Sequence, residues 1–192
     1  MRGRIFAVLV FFPLALLAGE EDPDKLVQVG ISAHHNFSAN IDPTTQVKKD
    51  WEAGFTLGVQ PFHHLGFEAE YFNSFGGVAS QHQEGGATIF ENGTDNLRGR
   101  LLKAVVNYPV LQKLEVFAKA GYGDLQYSDS TTQNSSISGT SSQSRSVTWR
   151  VVPVAVGLEF FPERNLSVEL AYDKFVSSRR AEAWTAGLKY HF

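Results

Sequence analysis

Trp184-Thr185-Ala186-Gly187-Leu188-Lys189-Tyr190-His191-Phe192 alternates strictly between two kinds of residue. Successive side chains of a strand point to opposite faces, so Trp184, Ala186, Leu188, Tyr190 and Phe192 share one side and Thr185, Gly187, Lys189 and His191 the other. One face is apolar and the other polar. That pattern predicts a strand able to lie against lipid with its polar face turned inward, as in a transmembrane β-barrel.

Seven earlier segments repeat the pattern. Leu26 to Asn36 sets Val27, Val29, Ile31 and Ala33 against Gln28, Gly30, Ser32 and His34, and Asp50 to Gln60 sets Trp51, Phe55, Leu57 and Val59 against Glu52, Gly54, Thr56 and Gly58. Leu65 to Phe72, Asn96 to Tyr108, Leu114 to Tyr127, Thr148 to Phe161 and Asn165 to Phe175 behave alike. Most are near or beyond the about 9 to 11 residues a tilted membrane strand needs. Pro153 removes a ladder donor and predicts a bulge in the sixth strand.

The connections alternate in length. Pro61-Phe62-His63, Pro109-Val110-Leu111 and Pro162-Glu163-Arg164 mark short turns, whereas Phe37 to Lys49, Asn73 to Asp95 and Ser128 to Val147 are long and only Val176 to Arg180 is a short outer join. Short turns on one side and long loops on the other are the arrangement of an eight-stranded antiparallel up-and-down barrel. Ser128 to Ser146 is rich in Ser, Thr, Gln and Gly and is expected as a mobile surface loop. Ala87 to Phe90 is expected to extend a strand above the membrane.

Periodicity alone does not separate a membrane barrel from a soluble one turned inside out. The N-terminus helps. Arg2 and Arg4 precede an apolar run from Ile5 to Leu17, then Ala18-Gly19 and the acids Glu20-Glu21-Asp22. That is the layout of a cleaved secretory signal peptide over residues 1–19, with the barrel domain over residues 20–192. The run is shorter than the roughly 20 residues of a spanning helix and contains Pro13. The aromatic residues add to this. Phe62, Tyr108, Phe160, Tyr190 and Phe192 lie by the short turns, and Trp51, Tyr71, Tyr122, Tyr172 and Trp184 toward the loops, as two interfacial girdles would require.

Composition excludes several classes. The 192 residues fit one domain and contain no Cys, so no disulfide stabilises it. Loss of Arg2 and Arg4 with the leader leaves 15 bases against 20 acids, a mildly acidic chain ill suited to nucleic acid.

On the inward face fall Glu52, Glu68, Glu70, Glu115, Glu159, Glu169 and Asp173 with Lys103, Lys119 and Lys189. An eight-stranded lumen is just wide enough to be filled by side chains, so these groups are expected to pair into a structural plug. The acidic excess leaves a narrow cation-leaning channel as the alternative. At the outer rim Arg98 shares the parity of Tyr108, and Arg150 that of Phe160, each ten residues higher. About 2.5 Å of height per tilted residue carries them across the apolar band of about 25 Å. With Arg100, Arg179 and Arg180 they are candidates for lipopolysaccharide phosphates, which guanidinium forks fit.

The leader, eight alternating strands, four outer connections and the terminal Tyr190-His191-Phe192 resemble the opacity-protein and OmpA-like outer-membrane barrel superfamily over essentially the whole mature chain. The resemblance implies an integral outer-membrane protein of Gram-negative type. It implies surface loops that bind a host or cell-surface ligand, and recognition of the last strand, Tyr190 and Phe192, by the barrel-assembly machinery. A lipid-A-modifying enzyme is a distant third reading. His34, His35 and Ser38 contain no His-x-Ser pair, and His63-His64 and His82 lack the companions of a metal site. No cofactor, metal or catalytic residue is expected.

Overall fold

In the computed structural model the described residues are 27–40, 46–62, 64–84, 87–135, 139–177 and 179–192. The expected leader, its cleavage site and His63 lie outside them. Eight antiparallel strands follow in order: β1 (Val27–Asn40), β2 (Gln46–Phe62), β3 (Leu65–Glu84), β4 (Ala87–Leu111), β5 (Leu114–Ser135), β6 (Gly139–Glu163), β7 (Leu166–Val176) and β8 (Ala181–His191). Each pairs with the next, and β8 returns to β1 through Gln28↔His191 and its neighbours, so the barrel is closed. Closure satisfies the ladder groups that lipid cannot.

Burial shows which side is which. Ile31 is 62 % exposed, Leu102 62 % and Val156 58 %, while Glu68, Asp173 and Lys119 are at most 3 % exposed. The apolar face points out and the charged face in. Of the ten girdle rings, nine are exposed and Tyr172 is half-exposed.

Three details depart from strict alternation. First, β3 runs on to Glu84 and β4 begins at Ala87, and β5 and β6 extend to Ser135 and from Gly139. The polar stretch expected as a mobile loop is therefore largely a paired hairpin. Ladder hydrogen bonds are made by the backbone, so Ser- and Thr-rich strands pair without any apolar face when both faces are wet.

Second, Pro153 causes no bulge. Its register with Phe175 is regular, and toward β5 the ladder only skips between Ala120↔Val154 and Gly123↔Val151 without slipping. Gly121, level with the proline on β5, has Leu102 O of β4 where a Cβ would stand, so β5 approaches β4 closely there.

Third, besides register shifts beside the turn prolines Pro61, Pro109 and Pro162, β1 carries one of its own, where the pairing with β8 shifts between His35 and Ser38. Asn36 there adopts φ 54°, a left-handed conformation Asn tolerates better than most residues. The extra residue turns both His34 and Phe37 into the lumen, and each is 0 % exposed.

Candidate functional site

The lumen is filled in layers, beginning at the turn side. Ser167 Oγ lies 2.6 Å from Glu159 Oε1 and 2.8 Å from His191 Nε2. The next layer joins four strands. Lys119 Nζ is 2.7 Å from Glu169 and 3.1 Å from Glu68 Oε2, while Lys189 Nζ meets the same two carboxylates at 2.5 and 2.9 Å. Two lysines and two glutamates thus close a ring across β3, β5, β7 and β8. All four are at most 4 % exposed, and such mutual pairing is what offsets the desolvation of buried charge.

Above this ring Lys103 Nζ is 2.5 Å from Glu70 and 3.6 Å from Asp173. His34 Nε2 stands 2.9 Å from Glu70 Oε1, and Thr185 Oγ1 bridges His34 Nδ1 at 2.8 Å and Asp173 Oδ2 at 2.5 Å. A hydroxyl has one proton. Donated to Asp173, it leaves Thr185 to accept from Nδ1, and an ionised Glu70 only accepts from Nε2. Both ring nitrogens of His34 are thereby held by partners in the lumen. Five carboxylates in these layers, Glu68, Glu70, Glu159, Glu169 and Asp173, thus face Lys103, Lys119, Lys189, His34 and His191. His34 and His191 thus belong to the network beside the three lysines.

Two acids lie outside these layers. Glu115 is half-buried at the turn-side end of β5, opposite Glu159. Glu52 is 2 % exposed, and among the described residues neither of its carboxylate oxygens has a hydrogen-bond partner.

Over the ionic layers sits an apolar one. Phe37, Phe72 and Phe175 from β1, β3 and β7 pack with ring centroids 5.5 to 6.2 Å apart. Leu97, Leu101, Leu125 and Val151 complete the layer from β4, β5 and β6. Gly99 makes room for it, since a Cβ there would stand 2.3 Å from the Phe72 ring. Higher still, Lys49 crosses the mouth to pair with Asp95, and the Arg179 guanidinium lies 5.4 Å over the Trp149 ring.

This apolar layer is absent from the sequence expectations. Phe72 and Phe175 continue the inward parity of Glu70 and Asp173, and following each parity one step further finds them. Phe37 cannot be found that way, because the bulge at Asn36 breaks the period of two. His34 and His191 have inward parity in the sequence, but only their distances reveal them as members of the network.

On the outer surface, Arg100 and Arg150 are exposed on either side of Asp124, and Arg98 is half-buried above them. Arg180 is exposed in the β7–β8 turn, whereas Arg179 leaves the outer row for the mouth. Beneath Arg100 a shallow lipid-side groove of about 540 Å³ is lined by Phe55, Leu57, Tyr71, Leu102 and Tyr122. Tyr190 and Phe192 stack edge to face on the outside of the turn-side rim, 4.9 Å between centroids. Among the described residues no three metal-binding side chains cluster.

The sequence matches the model of the outer membrane protein β-barrel domain over residues 5–192. Among solved structures, the attachment invasion locus protein of Yersinia pestis aligns with a TM-score of 0.58 at 15 % identity, covering 88 % of this chain and 99 % of that one. The same protein in complex with the heparin analogue sucrose octasulfate aligns equally well, at 16 % identity. Neisserial surface protein A follows with a TM-score of 0.51 at 14 % identity, covering 87 % and 97 %. At these identities the likeness is one of fold. Among curated protein sequences nothing matches this chain.

Proposed function

The chain belongs to the outer membrane protein β-barrel domain family, and from that premise we propose that it is a surface-binding protein: a closed barrel that anchors projecting hairpins for contact with other cells, a host or surface polymers. The observation that carries this reading is the division of the molecule. Ionic layers and an aromatic layer fill the lumen, while β3 to β6 continue well beyond it as a paired sheet. Family and neighbours are outer-membrane barrels rather than enzymes, and the proposal includes no catalysis. The complex of the Yersinia pestis relative with a sulfated sugar supports a surface ligand of some kind.

The same proposal takes residues 1–19 as a cleaved export leader and Tyr190 with Phe192 as the signal read by the assembly machinery. It takes Arg98, Arg100, Arg150 and Arg180 as contacts for lipopolysaccharide phosphate, with acyl chains along the groove below Arg100. The charged lumen groups serve as a structural plug, and a narrow cation channel is the competing reading. The three phenylalanines oppose it, since permeation through an apolar constriction requires wetting it.

One preparation tests both. The mature chain, refolded in detergent, is expected to shift on a gel between unboiled and boiled samples and to give no discrete steps in a planar bilayer. Cells displaying it should bind a surface that cells displaying a hairpin-trimmed form do not. Steady single-channel conductance would replace this reading with the channel.

A further inference from the structure

The chain has three tryptophans. Trp51 and Trp184 belong to the outer girdle and are 63 % and 52 % exposed, whereas Trp149 of β6 turns inward and is 7 % exposed. Its indole nitrogen can donate a hydrogen bond but not accept one. Among the described residues Trp149 Nε1 is buried with no hydrogen-bond partner, and so is Nη1 of Arg179, whose guanidinium lies 5.4 Å over the same ring. Every other buried side-chain atom in that condition among the described residues is an oxygen, of Glu52, Asn73, Asn96, Asn107 or Asp173. The two donors that lack an acceptor therefore sit against one another at the barrel mouth.

Buried polar groups are hydrogen-bonded as a rule, and a pair of donors without an acceptor calls for a group that supplies one. The neighbouring acids are committed elsewhere. Asp95 is held by Lys49, Asp129 stands opposite Arg145 on the β5–β6 ladder, and Glu52 stands opposite His34 of β1. Trp149 packs in one apolar cluster with Tyr127, Val151 and Phe175, so a charge entering beside it is weakly screened. The backbone at Arg179 is tied down on both sides: its N–H donates to Ser177 Oγ at 3.0 Å, and the Asn40 N–H donates to the Arg180 carbonyl at 3.0 Å. Only the long side chain of Arg179 has to lift for a group to enter from the mouth.

We infer that Arg179 and Trp149 form an oxyanion subsite at the floor of the barrel mouth, in which one oxygen accepts from Trp149 Nε1 and another from the Arg179 fork as it lifts off the ring. A carboxylate or sulfate group meets that demand because it carries two acceptors and the charge on one centre. Chloride, a single atom, does not. The subsite fixes one anionic group of the ligand in the surface-binding reading, and in that role it rests on that reading.

The test uses the mature chain with Trp51→Phe and Trp184→Phe, refolded in nonionic detergent and checked by its heat-dependent gel shift, so that Trp149 is the single tryptophan. Sodium acetate, sodium sulfate and sodium glucuronate are titrated separately, with ionic strength held constant by sodium chloride. Trp149 emission is expected to change saturably with an oxyanion. Affinity should fall at least tenfold in Arg179→Gln and stay unchanged in Lys174→Gln, which removes an exposed charge from β7. The indole proton–nitrogen NMR signal of Trp149 should move downfield as Nε1 gains an acceptor. Glucuronate binding tighter than acetate would trace the oxyanion to a saccharide, and equal binding to a free anion; both sustain the subsite. No saturable change would leave the two donors to water and overturn it, as would equal affinity in Arg179→Gln or an indole signal that does not move. Oxyanion binding by the refolded chain without surface binding by displaying cells would sustain the subsite and remove the surface reading. Surface binding without oxyanion binding would do the reverse.

Discussion

The lower and upper halves of the lumen are closed by opposite means. Below, charges hold one another in place: Lys119 and Lys189 each touch both Glu68 and Glu169. Above, Phe37, Phe72 and Phe175 exclude water by shape. In the ionic half the loss of one member strands its partners, whereas in the apolar half it leaves a cavity that neighbours can partly fill. Equal burial therefore does not mean equal tolerance.

The largest expected effect comes from the ring. Lys119→Met keeps the length but leaves Glu68 and Glu169 with one lysine between them, and breaking such a buried pair costs about 3 to 5 kcal/mol. Urea unfolding in lipid vesicles should show the loss. A midpoint within error of wild type would mean that the ring contributes nothing. Phe72→Ala should cost about 3 kcal/mol by cavity formation, and Gly99→Leu with Phe72→Ala should recover part of it by refilling the space. If the double variant is less stable than the single, the packing account of Gly99 is wrong.

Smaller changes sharpen the contrast. Thr185→Val removes the bridge between His34 and Asp173 without changing volume much and should cost about 1 to 3 kcal/mol, as a buried hydrogen-bonding partner does. A nitrogen NMR spectrum should then show a changed environment at His34 Nδ1, the ring atom that Thr185 contacts. Phe37→Ala/Phe72→Ala/Phe175→Ala should admit small ions where the wild type does not, provided the ionic layers yield as well. A variant that stays electrically silent would place the barrier in those layers. Tyr172→Phe, which removes an exposed hydrogen bond to Glu182, should change stability by less than about 1 kcal/mol. For the rim, Arg98→Ala/Arg150→Ala should lower the gel-shift temperature in lipopolysaccharide but not in plain detergent, and equal behaviour in both would remove the lipid contact.

Period two made the barrel legible because it is a local property. Every outward residue from Trp184 to Phe192 is assigned by counting, and so are Glu68, Lys119 and Glu169. Counting failed at Asn36, where one added residue reverses the parity of Phe37 and the rest of β1. It also undervalued the hairpins, since Ser and Thr side chains carry no signal when both faces of a sheet are wet. The membership of Arg179 was unreadable for a third reason: a turn residue has no parity, and only the fold decides whether it faces lipid or the mouth.

By itself the sequence determined the number of the strands and that each has one apolar and one charged face, because these are set by residues within one strand, while the leader, the turn lengths and the placement of aromatic residues chose which face meets lipid. Tertiary structure alone decided that His34 and His191 join the lysines, that three phenylalanines from β1, β3 and β7 meet above them, and that the β5–β6 pairing rises past the end of β7. These depend on shear and relative strand height around the closed ring, which bring together residues up to 151 positions apart, as in the Thr185 to His34 contact. No local pattern encodes that register.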